Sequence, residues 1–399
     1  MTHAENLAGP PLATLPESSS PGESLGVLTL PSSVEEMDTS AAGPVIWVVD
    51  ADAAQRAEVV ATLRPFYLLR EFADAAVALA SLPSAPPGVV VAAEQAGVQG
   101  GVDFVRALRR QPGQEHTPLV FVADAPENRA RALLAGADDC LIKPYRRSTL
   151  VDAVSSQINA QVEDSWEALP AHARAALRET LSVFGRISER LLNGGPVAYD
   201  SVTTACEPLV EVVNRHEHRI LLDAVRGHDN YTYAHSLRVA TLLALFGGLA
   251  GLRDEEQLVL ASGGLLHDVG KMSIPHAILN KPGRLTEEEF AVMKSHVPAT
   301  LSFLERNPDL PASVLVIAGQ HHEKLDGTGY PNGFKGSNLN ELARMAAIVD
   351  VFSALTDYRA YKLAMPAEQA LRIMTDDMQT HLDQQLLRVF KATLLDCAA

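Results

Sequence analysis

His235, His267, Asp268, His296, His321, His322 and Asp350 stand in the second half of a 399-residue chain at spacings that can wrap a pair of metal ions. Thirteen histidines occur in all, so more than a third of them fall in this set. Most lie beside a turn breaker or on a predicted helix. Imidazole nitrogens and carboxylate oxygens without any thiolate suit iron, manganese, cobalt, nickel or zinc, and not magnesium or calcium. So many donors serve two ions. Two ions activate a water and stabilise both the entering and the leaving oxygen of a phosphoryl displacement. The spacing therefore points to metal-dependent phosphoryl chemistry.

Helices must position these donors. From about Asp200 onward nearly everything reads helical, most clearly Leu237–Leu245, Glu255–Leu266, Glu287–His296, Ala343–Leu355 and Ala367–Met378. Thr286-Glu287-Glu288-Glu289 is a capping box that fixes a helix start just ahead of His296. The loop Asp326-Gly327-Thr328-Gly329-Tyr330-Pro331 cannot be regular structure. Upstream, Trp166 to Leu192 reads as one long helix closed by Asn193-Gly194-Gly195. Its Leu177, Phe184 and Leu191 recur every seven residues, with Leu181 and Ile187 beside them. That pattern fits a pairing seam between two copies, or more simply a helix packed on its own domain. Before it, Val45–Val49, Val89–Ala93 and Leu119–Ala123 are continuous apolar runs of the kind found in buried parallel strands. Helical patterns over Ala53–Leu63, Val102–Arg110 and Arg129–Ala135 alternate with them, which predicts a doubly wound parallel sheet. Residues 1–43, rich in Pro, Ser, Ala and Glu, read as a disordered leader.

Composition narrows the function. A net charge of −16 without a long basic stripe excludes nonspecific nucleic-acid binding. Cys140, Cys206 and Cys397 fit no metal or disulfide spacing, which points to a reducing compartment and a cytoplasmic protein. No signal peptide is expected, and the longest apolar stretch, Val239–Leu252, is too short and interrupted for membrane insertion.

In order along the chain come Asp229-Asn230-Tyr231-Thr232-Tyr233-Ala234-His235-Ser236, His267-Asp268-Val269-Gly270-Lys271, Asn280-Lys281-Pro282-Gly283, His296, and His321-His322-Glu323-Lys324-Leu325-Asp326-Gly327-Thr328-Gly329-Tyr330-Pro331. Together these resemble the HD-GYP family of cyclic di-GMP phosphodiesterases over roughly the last 200 residues. The resemblance implies two divalent transition-metal ions, iron or manganese foremost, with nickel, cobalt or zinc accepted by the same donors. It implies His235, His267, His296, His321, His322 and Asp350 as terminal ligands and Asp268 as the bridging carboxylate. A water between the ions becomes the attacking hydroxide. Lys271, one helical turn after His267, resembles the family lysine that neutralises a phosphate oxygen. Tyr330, Arg359 and Lys362 resemble further substrate-phosphate contacts. Glu323 and Asp326 read as turn and capping residues, and His216, His218, His228 and His276 as ordinary polar positions. Four departures stand out. Tyr231 replaces the Glu that serves a third ion in some members, so two ions are expected. Ser353 stands where Asp is frequent, Thr300 where Gly is common, and Leu325 where Trp is common. The last three remove no ligand.

Residues 44–160 resemble a response-regulator receiver domain through Val48-Val49-Asp50 and Gly136-Ala137-Asp138-Asp139-Cys140-Leu141-Ile142-Lys143-Pro144. A working receiver needs an acidic pair for Mg²⁺, an Asp nucleophile, a Thr or Ser, and a Lys at strand C-termini. Here the phosphoacceptor position falls on Ala93 and the hydroxyl position on Ala123, leaving Asp50, Lys143 and Asp52. An alanine methyl cannot attack a phosphoryl group, so ordinary aspartyl phosphorylation is expected to fail, with Glu94 the only neighbour that could substitute. The neighbouring Glu94 could imitate a phosphorylated state, but a domain kept for dimerisation or docking is the simpler reading.

The expected organisation is a leader (1–43), a flavodoxin-like α/β degenerate receiver (44–160), a helical connector (161–199) and an all-α HD-GYP phosphohydrolase domain (200–399). The expected function is cleavage of cyclic di-GMP to pGpG, with GMP as the alternative end product, in bacterial second-messenger signalling. The rival reading is a catalytically slow cyclic di-GMP sensor, or a module that docks diguanylate cyclases through Gly329-Tyr330-Pro331. Homodimer formation through the connector is compatible with either. A hydrolase for another nucleotide is a third.

Overall fold

A computed structural model describes residues 44–98, 100–193, 195–279, 281, 283–357 and 365–396. The leader, Cys397, and the expected phosphate contacts Arg359 and Lys362 lie outside the described residues.

Five strands form one parallel sheet: β1 (Val45–Val49), β2 (Leu68–Phe72), β3 (Val89–Ala93), β4 (Leu119–Ala123) and β5 (Asp139–Ile142), in the order β2-β1-β3-β4-β5. The helices α1 (Ala53–Leu63), α2 (Ala75–Ser81), α3 (Gly101–Arg109), α4 (Glu127–Ala135) and α5 (Arg147–Ser165) connect and follow them. Trp47, Val90, Phe104 and Phe121 pack on one face of the sheet, and Val48, Val91, Leu150 and Ile158 on the other. Burial on both faces is why β1, β3 and β4 read as unbroken apolar runs. The edge strand β2 carries Arg70 and Glu71 and buries only Phe72, so it has no such signature.

The connector departs from the single helix predicted over Trp166–Leu192. α5 runs past residue 160 to Ser165, Trp166–Ala168 form a 3₁₀ turn, and Leu169 is extended (ψ 159°). The next helix, α6, spans Ala171–Asn193. Pro170 makes the break: it has no N–H to give, and its ring drives the preceding residue out of the helical region. Leu177, Phe184 and Ile187 are buried in the chain's own core, beside residues of α7 (Tyr199–Asn214). These positions therefore serve as intramolecular packing, the simpler of the two readings of the seven-residue repeat.

The rest is helical: α8 (His218–Ala224), α9 (Tyr231–Leu249), α10 (Asp254–Leu266), α11 (His276–Leu279), α12 (Glu287–Lys294), α13 (His296–Leu304), α14 (Ala312–Gln320), α15 (Glu341–Thr356), α16 (Ala367–Asp376) and α17 (Gln384–Asp396). α9 is buried almost all round and is packed by α7, α10, α15 and α17, as expected of a helix without a polar face. The helix predicted over Glu287–His296 is divided at Ser295. Pro298 lies four residues beyond Lys294 and its ring would meet that carbonyl in a continuous helix. The chain bends there, and His296 opens α13. The capping box of α12 is closed by Thr286 N donating to Glu289 (2.8 Å) and Glu289 N donating to Thr286 Oγ1 (3.2 Å). Among the described residues no helix is long and apolar enough to cross a membrane.

Candidate metal centre

Three helix ends build the centre. His267 caps the C-terminus of α10, His321 caps that of α14, and His296 follows α12 by two residues. The last carbonyls of a helix have no partner within it. Each of these histidines supplies one from its Nδ1–H: His267 to Gly264 O (2.7 Å), His296 to Met293 O (2.7 Å) and His321 to Ala318 O (2.9 Å). That bond fixes the tautomer, leaving the Nε2 lone pair as donor. All three Nε2 atoms are buried without a hydrogen-bond partner, and so is Asp268 Oδ1. Helix C-termini are also the ends that favour positive charge.

The donors form two groups. His235, His267 and Asp350 make one, and Asp268, His296, His321 and His322 the other, with the ligand atoms of each lying within 4.8 Å of one another. Asp268, fully buried, stands between them. Its Oδ2 is 3.2 Å from His267 Nε2 and 3.7 Å from His235 Nε2; its Oδ1 is 3.2 Å from His296 Nε2 and 3.7 Å from His321 Nε2. One oxygen thus faces each group. Asp350 also reaches across, with Oδ1 2.9 Å from His235 Nε2 and Oδ2 3.6 Å from His322 Nδ1. Converging lone pairs in a dry interior repel unless a cation lies among them. The donor set, nitrogen and oxygen without sulfur, fits divalent transition metals.

Electrostatics follow from burial and pairing. Burial pushes the Asp268 carboxyl up, but Lys271 and then His267 outweigh it and hold the group well below the usual carboxylate range. Asp350 is held down likewise, chiefly by His235 and His267 against burial. Burial opposes protonation of His267, yet Asp268 and Asp350 raise its pKa to about 10, so a cation binding at Nε2 would displace a proton there. His322 is lowered to about 3, mainly by burial. Both aspartates are therefore anionic at neutral pH, as metal ligands must be.

Lys271 is placed differently from the expectation of a shared helix face with His267. The α-helix ends at His267, and Val269–Ser273 form a 3₁₀ turn. Residues three apart eclipse in such a turn, so the Lys271 ammonium pairs with Asp268 Oδ2. Close packing sets this turn. A Cβ on Gly270 would lie 2.2 Å from His296 O, and the Gly270 N–H donates to Thr300 Oγ1 (2.9 Å). Thr300, a departure from the family pattern, thereby ties the Asp268 turn to α13.

Tyr330 sits over the second group. Its ring is 4.7 Å from that of His322, and its N–H donates to His322 O (3.2 Å). Burial, with Asp268 and Asp350 nearby, raises the phenol pKa, so it stays a protonated donor. Glu323 holds the loop from within: Oε1 accepts from Asn332 N (2.7 Å) and Gly333 N (3.1 Å), and Oε2 from Phe334 N (3.1 Å). A Cβ on Gly329 would lie 2.5 Å from Glu323 Cα, so only glycine permits this approach. Asp326 accepts from Thr328 N (2.9 Å) and Thr328 Oγ1 (2.7 Å), a turn role. The Tyr231 ring stacks on His235 at 5.6 Å.

Sequence reasoning missed Asp357 and Arg238. Asp357 Oδ2 accepts from His235 Nδ1 (3.0 Å), and its Oδ1 pairs with Arg238. This carboxylate orients the imidazole and raises its basicity, as outer partners of metal-bound histidines do. Two turns separate Asp357 from Asp350 and one turn separates Arg238 from His235, a spacing visible in the sequence. His228 is more than the ordinary polar position expected of it. It is buried, stacks on Trp166 (6.1 Å) and places Nε2 3.3 Å from Glu163. Next to it, Asp229 is held by Tyr67 (2.8 Å) and Asn159 (2.6 Å) of the α/β unit, and Asn230 caps α9.

In the α/β unit Ala93 ends β3 and Ala123 ends β4. Asp52 caps α1, Lys143 pairs with Asp124 (2.8 Å), and Glu94 accepts from Asp124 N (2.8 Å) and Asn128 Nδ2 (2.7 Å).

Comparison with known proteins gives two family matches: an HD domain over residues 219–386 and a response regulator receiver domain over residues 46–155. Cyclic di-GMP phosphodiesterase PA4108 of Pseudomonas aeruginosa is 30% identical over 282 residues, 68% of this chain and 68% of that protein. Cyclic di-GMP phosphodiesterase response regulator RpfG of Xanthomonas campestris pv. campestris is 32% identical over 275 residues, 68% of this chain and 66% of that protein. The 3'3'-cGAMP-specific phosphodiesterase 3 of Vibrio cholerae is 38% identical over 165 residues; the chain spans about a third of its length (35%), and the match covers 41% of this chain.

Proposed function

Since the chain belongs to the HD-GYP family of metal-dependent phosphodiesterases, with a receiver domain ahead of the catalytic one, we propose that it hydrolyses cyclic di-GMP to pGpG, and pGpG onward to GMP, at a two-metal centre. The strongest support is the convergence of three buried, tautomer-fixed Nε2 atoms and the two oxygens of Asp268 on one small volume. We assign one ion to His235, His267 and Asp350, the other to His296, His321 and His322, and Asp268 to both. Iron or manganese heads the list of metals that such donors accept. When bound, two such ions supply Lewis acidity, making water a nucleophile near neutral pH and neutralising charge on a phosphoryl group.

The chain's own residues do the remainder. Asp268 and Asp350 stay ionised because Lys271 beside the first, and hydrogen bonds from His235 and His267 to the second, offset their burial. Lys271 offers an ammonium at the edge of the Asp268 carboxylate, where a phosphate oxygen would be neutralised. Tyr330, kept protonated and turned inward over His322, offers a hydroxyl donor to the substrate and excludes water from that side. Its inward packing favours a substrate contact over docking of another protein. Arg359 and Lys362 retain the phosphate-binding role implied by their place in the family pattern.

One relative acts on 3'3'-cGAMP, a cyclic dinucleotide with the same pair of phosphodiester linkages. A second reading is therefore that this chain accepts that substrate as well. The test is turnover of both cyclic dinucleotides by Mn²⁺- or Fe²⁺-loaded protein, wild type against Asp268→Ala. Loss of product together with loss of at least one ion supports the assignment. Full turnover by the variant with both ions retained refutes it.

A further inference from the structure

The sheet of the α/β unit lacks the chemistry of its ligand edge but has kept space there. A cavity of about 320 Å³ opens beside Ala93, between the sheet and helices α1 and α5. Its floor is Val48, Val91 and Val122, and its walls include Val59 and Thr62 of α1 and Leu150 of α5. An apolar cavity of about 150 Å³ is already large enough to bind benzene. The position is also the expected one. Strand order reverses between β1 and β3, and doubly wound sheets hold ligands at that crevice beyond the strand C-termini.

The polar lining carries both signs. Asp50 and Glu58 supply two carboxylates, Lys143 an ammonium and Arg147 a guanidinium. Asp50 is buried, and its Oδ1 accepts from Asp52 N at 2.9 Å. Lys143 is engaged by Asp124 and Gln55. The exposed side chains of Glu58 and Arg147 make no ion pair among the described residues. A purely anionic ligand would meet two acids, and a purely cationic one two bases. A zwitterion satisfies both pairs and leaves its apolar part for the valine-lined interior. We propose that this cavity binds a small zwitterion with an apolar body, of the class of hydrophobic α-amino acids, in place of the phosphoryl group that the domain cannot accept. The proposal is independent of the phosphodiesterase reading.

The full chain is titrated calorimetrically with L-phenylalanine, 3-phenylpropionate and phenethylamine, which share a ring and differ in head-group charge. The expected result is one L-phenylalanine per chain, with each singly charged analogue about tenfold weaker, the loss of one charge-assisted contact. Arg147→Gln and Glu58→Gln, both at exposed positions, should weaken L-phenylalanine by a similar factor while leaving the melting temperature unchanged. Val91→Phe, which fills the floor, should abolish binding. No heat with L-phenylalanine at roughly 10 mM, enough to saturate a millimolar site, overturns the proposal. So does equal binding of all three probes, or wild-type affinity in the two exposed variants.

Discussion

Asp357 is the residue through which the centre can be weakened on one side only. It is buried (7% exposed), accepts from His235 Nδ1 at 3.0 Å and pairs with Arg238, itself 17% exposed. Asp357→Asn keeps the shape and one acceptor but removes the charge. The imidazole becomes less basic, and Arg238 loses its carboxylate. Losing an outer partner of this kind weakens metal binding about 10- to 100-fold, equivalent to about 1.4–2.7 kcal/mol. Stranding Arg238 costs the fold about 2–3 kcal/mol, below the range for a fully buried pair because the guanidinium keeps some access to water. The ion assigned to His235, His267 and Asp350 should therefore leave first. The assay is equilibrium dialysis against chelator-buffered Mn²⁺, with bound metal counted by mass spectrometry and folding checked by circular dichroism. Wild type should hold two ions across a range of free Mn²⁺ in which the variant holds one. Two ions retained by the variant at unchanged free metal would refute the reasoning.

Glu323→Ala leaves three backbone N–H groups of the Tyr330 loop without an acceptor; a loss of about 3 kcal/mol is expected, with metal content unchanged and KM raised more than kcat is lowered. His228 is lowered to about 4 by burial. It is neutral in the fold at pH values where the unfolded chain, titrating near 6.5, already binds a proton. Stability should accordingly be lost as pH falls from about 6.5 to about 4, by about 3 kcal/mol in total. Urea unfolding of His228→Gln should show that much less decline over the same window, and an identical decline would remove His228 as the cause.

Some of this was legible in the sequence for definite reasons. β1, β3 and β4 are covered on both faces, so their patterns are unbroken apolar runs; β2, at the sheet edge with Arg70 and Glu71, has none. His267, His296 and His321 stood out by residue type and by the turn breakers near them, because a helix C-terminus needs both a break and a donor for its last carbonyls; His235 and Asp350 lie inside helices and carry no such signal. Two proline effects lay in plain view and were still misread: Pro170 divides the connector, and Pro298 divides the helix predicted to end at His296. The His235–Asp357 bond joins residues 122 apart and exists only because α9 and α15 pack together. The split of seven donors into two groups likewise depends on where three helix ends meet.

On the proposed function, these seven side chains hold two cations that act on a cyclic dinucleotide. Metal content and nucleotide products measured on a single anaerobically purified sample test it most directly. Two divalent transition-metal ions per chain and conversion of cyclic di-GMP to pGpG and then GMP are expected, with activity lost on chelation and restored by Mn²⁺ or Fe²⁺. A chain that carries one ion or none at full activity, or two ions with cyclic di-GMP left intact, would contradict it.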